Sequence, residues 1–408
     1  MSSSRSLKRL PLDRQMDDIV ENSIEKIELV SLKNGHYYVS NFANVGVIMT
    51  TDGIVVIDTT LNKQHAKAIY NAIRQKSKLP IRYIIYTHGH LDHVNSTEVF
   101  KETNTQIIGH ENIADRFYKY RKLNDYHLRI NSVQFQGKLG LESFHFITPD
   151  ITFSKEYKFK LGDKTIYLMH GKGETDDHCF VHVPEDNIVY SGDFFINAFP
   201  NIGNPLKVNR FEREWYETCQ QIQELKPDVL VPGHGRALCS KQDIQDGLQA
   251  IIDVLRFVHE KVIDCLNKGM TLEMMLEEIE LPSDLTNNKY IQPSYGCLEF
   301  AIKGTYRRYT GWFDGNPTNL QPCKQKDVAN EILSLMKDAN IILKRCRDLM
   351  DKGEYQMVLH LTDILIFSQD NIEAKELKKE AVRKCSETNS NFIIRNIYDQ
   401  LYYKMGMI

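Results

Sequence analysis

The chain has 408 residues, 42% apolar and 26% charged, with 20 Tyr and 18 Phe. That is the profile of a folded protein rather than a disordered one, and too long for one ordinary core, so a large domain and a smaller one are expected. Lys and Arg number 51 against 54 Asp and Glu, a balance that offers no broad basic surface and argues against a nucleic-acid partner.

Residues 1–34 are polar, with a basic, Ser-rich start and no apolar core of a secretory signal, and are read as an N-terminal extension. HYYVSNF, NVGVIMTT and GIVVIDTT then follow as short strands between Asn, Asp and Gly turn signals. LNKQHAKAIYNAIRQKSK has helical spacing through Ala66, Ile69, Tyr70 and Ile73 and stops before Pro80. The next strand, IRYIIYT, runs straight into THGHLDH, and the carboxyl ends of strands are where α/β proteins place their chemistry. Between Gln106 and Asp150 a helix and an aromatic stretch, Phe117 to Phe146, are expected to cover the site. A hairpin turning near Gly162 and Asp163 and the strands in CFVHVP, NIVYSGD and DVLVPGHG complete a domain over 35–240. From 241 to 408 apolar residues recur at helical spacing, which predicts an all-α domain. Eight cysteines stand singly with no CxxC pair, as reduced thiols of a cytoplasmic protein do, and no window nears the roughly 20 apolar residues that membrane insertion needs.

The strongest signal is His88-Gly89-His90-Leu91-Asp92-His93. Neither helix nor strand patterning explains so dense a set of ligand-type side chains, whereas a loop can turn them toward adjacent ions. One such cluster cannot close two sites. Three later candidates follow apolar strands beside or near glycine, which lets backbone approach closely: Glu174 in HGKGETDDH, Asp193 in YSGDFF and His234 in VPGHG.

These motifs, in this order over roughly 35–235, resemble the metallo-β-lactamase superfamily. The resemblance implies a four-layer αββα sandwich of class α/β, followed here by the all-α C-terminal domain. It also implies two Zn²⁺ ions, the first on His88, His90 and Glu174, the second on Asp92, His93 and His234, with Asp193 bridging. The zinc β-lactamases place His where Glu174 stands; a carboxylate there leaves manganese or iron open. Coordination by Asp177 or His178 instead of Glu174 also stays open at this point. Glu in that slot, the carboxylate bridge and YTGWFDGNP at 309–317 are similar to the alkyl sulfatases of the superfamily, whose helical part mediates dimerisation. A homodimer through 241–408 is implied, with Leu298, Phe300, Ile302 and Trp312 as candidates to bury against a second copy.

Two metals sharing a carboxylate hold a water between them and lower its pKa. The reading is therefore a hydrolase in which a metal-bridging hydroxide attacks an ester-like bond, with an alkyl sulfate-type substrate first. Asp193 and Asp92 are the catalytic carboxylates, Asp193 orienting the hydroxide or taking its proton. Asp58, at the end of GIVVIDTT, is placed to receive a ring N–H from a ligand histidine and fix its tautomer. Asn204, Lys207 and Arg210, with Asn201, follow Asp193 closely and suit an anionic small-molecule substrate. The alternatives are a hydrolase of the same fold acting on a lactone, thioester, β-lactam or phosphodiester, and a non-catalytic metal-binding scaffold.

Overall fold

The computed structural model describes residues 27–135, 144–336 and 338–405; most of the expected N-terminal extension and part of the aromatic stretch lie outside them. Strands β1 (Val30–Ser31), β2 (His36–Val39), β3 (Val45–Met49) and β4 (Ile54–Ile57) form an antiparallel meander. Helix α1 (Lys63–Lys76) begins at Asn62, whose side-chain oxygen accepts the amides of Gln64 and His65, and ends at Ser77, ahead of Pro80. It leads to β5 (Ile81–Ile85), parallel to β4. Short α2 (Leu91–Val94) and α3 (Thr97–Phe100) precede β6 (Gln106–His110), and α4 (Ile113–Lys122) and α5 (Asn124–Gln134) precede β7 (Ile151–Phe153). The first sheet thus has seven strands in chain order, parallel from β4 onward.

In the second sheet β8 (Glu156–Leu161), β9 (Lys164–His170), β10 (Cys179–Val183) and β11 (Ile188–Gly192) are antiparallel. The β8–β9 turn passes through Gly162 at φ +55°, left-handed backbone that glycine takes without cost. Helix α6 (Glu212–Glu224) then carries the chain to β12 (Val229–Pro232), parallel to β11.

Strand alternation sorts the side chains into three cores. On β4, Ile54 and Val56 face Ala66, Ile69 and Ile73 of α1, while Val55 and Ile57 join Leu168, Val181 and Tyr190 between the sheets. Buried on both faces, such a strand reads as a continuous apolar run, each side chain stabilising by about 1.5–3 kcal/mol. Beyond the second sheet, Phe180, Val189 and Leu230 pack against Trp215 and Ile222 of α6 and against Ile244, Leu248, Ile251 and Leu255 of α7 (Lys241–Asn267). Helix, sheet, sheet and helix are the expected four layers.

The compact unit does not stop at 240. Helices α7, α8 (Leu272–Glu278), α9 (Ser283–Thr286) and α10 (Leu298–Tyr309) share the third core with the second sheet, and the unit runs to Tyr309. An amphipathic stripe carries no mark of whether a sheet or another helix will cover it, so the expected boundary falls inside this core. Phe300 and Ile302 are buried within the chain itself, whereas Trp312 is 67% exposed.

A second compact unit takes in the remaining helices among the described residues: α11 (Pro317–Leu320), α12 (Gln325–Ser334), α13 (Asn340–Lys352), α14 (Tyr355–Gln369), α15 (Ile372–Thr388) and α16 (Phe392–Met405). Its centre is Leu343, Cys346, Val358, Leu365, Ala374 and Ala381. Among the described residues no helix is long and apolar enough to cross a membrane.

Candidate metal centre

Each candidate ligand lies in a connection that leaves a strand, Asp92 and His93 within the short helix α2. His88 to His93 follow β5, Glu174 follows β9, Asp193 directly follows β11, and His234 follows β12. The β12 loop lies so close that a Cβ on Gly233 would collide with the Asp193 carboxylate, which explains the glycine there. Across from it, Asn44 donates its side-chain amide to the carbonyls of Pro232 (2.9 Å) and Gly235 (2.7 Å), and His234 Nδ1 bonds the carbonyl of Phe42. His234 is left with Nε2 facing inward, 3.4 Å from Asp92 Oδ2 and 3.4 Å from Asp193 Oδ2.

Asp58 follows β4 with φ +59°, a strained conformation for a side-chain-bearing residue, and Thr60 repeats it at +56°. The distortion turns the Asp58 carboxylate onto the metal loop. It accepts the Thr87 amide at 2.8 Å and hydroxyl at 2.7 Å, and it lies 2.8 Å from His93 Nδ1. That contact assigns the ring proton to Nδ1 and leaves Nε2 as a donor atom, 3.4 Å from Asp193 Oδ1 and 3.6 Å from Asp92 Oδ2.

His88, His90, Glu174 and Asp193 bring one donor atom each within 4.8 Å of one another, and Asp92, His93 and His234 do the same. Asp193 reaches both groups. The two candidates for the Glu174 slot are engaged elsewhere: Asp177 accepts the Gly89 amide and Arg116 Nε, both at 2.8 Å, while His178 Nε2 accepts the Asp193 amide at 3.2 Å and its ring stacks on Phe194 at 3.9 Å.

Electrostatics show what the cluster lacks. Burial opposes charge on Asp193, yet His234 and His93 outweigh it and hold the carboxyl well below the usual range. Burial likewise opposes charge on His234, but Asp193 and Asp92 push it up to about 10. Burial raises Glu174 to about 7 against the pull of Arg210, and burial together with neighbouring histidines keeps His88 neutral. His93 Nε2 and Asp193 Oδ1 are buried without a hydrogen bond among the described residues. Buried orphans of this kind cost free energy unless a ligand satisfies them, and four imidazoles with three carboxylates are the donor set that divalent cations take.

The other expected residues divide. Arg210 is buried in an ion pair with Glu174, and burial together with the neighbouring Arg210 charge pushes the Lys207 ammonium down to about 8 against the pull of Asp92 and Glu174. Asn204 spends its side-chain oxygen on the Leu206 amide at 2.8 Å, inside its own turn. Asn201 is fully buried, with no hydrogen bond to either side-chain atom among the described residues.

Sequence reasoning missed Tyr295, between α9 and α10, whose phenol is pushed up by burial and by Glu174, Asp92 and Asp193. Only the Pro and Gly of IQPSYGCLEF hinted at a special turn there. It also missed Arg116, whose partners Asp176 and Asp177 are distant in sequence.

The matching family models are the metallo-beta-lactamase superfamily over residues 40–234 and alkyl sulfatase dimerisation over 271–406. The chain is 23% identical to a linear primary-alkylsulfatase of Pseudomonas sp. (strain ATCC 19151), covering 86% of this chain and 72% of the relative. It is also 23% identical to the alkyl/aryl-sulfatase BDS1 of Saccharomyces cerevisiae, covering 88% of this chain but only 60% of that one. The fold matches that of the stereoselective inverting sec-alkylsulfatase Pisa1 from Pseudomonas sp. with a TM-score of 0.83 at 21% identity, over 97% of this chain and 67% of the other. The chain thus joins a metallo-beta-lactamase domain to an alkyl sulfatase dimerisation domain, and this pairing together with its alkylsulfatase homologues indicates a metal-dependent hydrolase.

Proposed function

We propose that this chain hydrolyses alkyl sulfate-type esters with two divalent ions, zinc first among them. His88, His90 and Glu174 would hold one ion, Asp92, His93 and His234 the other, and Asp193 both. Bound there, the pair supplies Lewis acidity and a water of lowered pKa. The chain's own residues do the rest. Asp58 holds the His93 ring in one tautomer, Phe42 and Asn44 hold His234, and Asp193 and Asp92 face the space between the groups, where a carboxylate can take a proton from the attacking water. Lys207 supplies positive charge toward an anionic substrate. The dimerisation domain supports a homodimer, and eight free cysteines suit the reducing cytoplasm.

The observation that carries this reading is the position of Asp193 within reach of both donor groups. The test is metal content by mass spectrometry together with hydrolysis of an alkyl sulfate, a lactone, a thioester and a phosphodiester. Two ions per chain and sulfatase activity, both lost in Glu174→Ala and Asp193→Ala, are expected. Activity on another ester would discard the substrate and keep the site, and a metal-free protein would discard both.

A further inference from the structure

Arg210 stands in the segment where a substrate anion would be met, yet its surroundings point inward. Both Arg210 and Glu174 are about 5% exposed. The guanidinium pairs with Glu174 Oε1, while Oε2 of the same carboxylate faces His90 Nδ1 at 3.4 Å. The backbone repeats the link: the amide of Phe211 donates to the carbonyl of Gly173 at 3.1 Å, so the residues beside Arg210 and Glu174 are tied together.

Behind Phe211 the first turn of α6 is held by a network that never touches the donor atoms. Glu212, fully buried, lies 3.1 Å from His259 Nδ1 of α7 and 3.1 Å from Arg308 Nη1 of α10. Arg308 Nη2 meets both oxygens of Glu214, at 2.6 and 2.7 Å, and its guanidinium lies 5.6 Å from the centre of the Phe211 ring. Trp215 Nε1 donates to the carbonyl of Phe194 at 3.0 Å, next to Asp193. A planar cation fork fixes the plane of a carboxylate in a way that a lysine cannot, and such outer partners set how well a metal ligand is presented.

We propose that Arg210 is a positioning residue for Glu174 and that Arg308 of α10 holds it there through Glu212 and Glu214. This rests on the two-ion reading of the site. It makes a helix inside the segment matched by the dimerisation model a determinant of one metal site.

The experiment titrates zinc into the metal-stripped full chain against a chromophoric chelator, resolving two affinities, and measures kcat and KM for an alkyl sulfate in parallel. Glu174→Gln identifies the affinity that belongs to its site. Arg210→Lys, which keeps the charge but replaces the planar guanidinium that reaches Glu174 Oε1, is expected to weaken that same affinity about tenfold and leave the other unchanged. Arg308→Gln is expected to reproduce this loss in weaker form, with Arg308→Lys recovering part of it, while Lys207→Met raises KM and spares both affinities. Unchanged affinities in the Arg210 and Arg308 variants, or an equal fall at both sites with a lowered melting temperature, overturn the inference while the two-ion reading stands. Wild-type chain that takes up no zinc overturns that reading and this inference with it.

Discussion

Two buried polar clusters lie near opposite ends of β11, and they differ in how completely they are satisfied. Before the strand, His36 bonds the Tyr190 hydroxyl at 3.0 Å and Asp186 at 2.9 Å, while Asp186 also takes Lys164 at 2.5 Å and Asn34 at 2.7 Å. Both ring nitrogens are used and the charges pair. After the strand, Asp193 and His93 keep buried atoms without hydrogen bonds among the described residues, and like-charged carboxylates crowd together. Charged residues are packed into the interior in both places. Only the second arrangement needs something from outside, which is the physical difference between a structural cluster and a binding site.

The contrast breaks first, and hardest, at Asp193. Asp193→Ala is expected to cut hydrolysis by about a thousandfold and bring bound zinc to one ion or none, read by turnover and mass spectrometry, while urea unfolding of the metal-free protein changes little or shows a gain. His36→Ala at the other end is expected to do the reverse: about 3 kcal/mol of stability lost in urea at pH 7, with zinc content intact.

Acid sharpens the difference. Burial, working against Asp186, lowers His36 from 6.5 to about 4, so on acidification the unfolded chain takes up this proton before the folded one. His36 therefore contributes its full stability above about pH 6.5 and loses it progressively as the pH falls toward about 4, at up to about 1.4 kcal/mol per unit. The stability gap between wild type and His36→Ala should narrow over that window; a constant gap would show that the imidazole is not held neutral.

Smaller effects follow. Asp58→Asn can no longer fix the His93 proton as the carboxylate does, and zinc binding is expected to weaken ten- to a hundredfold in competition titrations, with a near-normal melting temperature once stripped. Lys33→Ala removes a half-exposed pair with Asp228, 2.9 Å apart, and should shift unfolding by less than about 1 kcal/mol. Burial and unmet bonding, not the count of charges, would then account for the ranking.

Much of the centre is legible in the residues because the chemistry is local. His88 to His93 crowd ligand types into one short segment after β5, and Asp58, Asp193 and His234 each close an apolar run that alternation sorts into a strand. The αββα layering follows from the same runs together with the resemblance they support. Arg116, Tyr295 and Arg308 were invisible for the opposite reason: each meets partners brought close only by tertiary packing, as when Arg308 reaches across to Glu212 and Glu214. The boundary expected at 240 falls within the third core, and nothing in the residues marked this, since the apolar stripe of α7 looks the same whatever covers it.

That shared third core decides where the chain can be cut. A fragment ending at 240 would keep every proposed metal ligand but lose Ile244, Leu248, Ile251 and Leu255, and so bare the outer face of the second sheet around Phe180 and Leu230. An apolar patch of that kind drives self-association, and such a fragment would precipitate rather than report on the centre it contains. The smallest piece worth expressing extends through Tyr309.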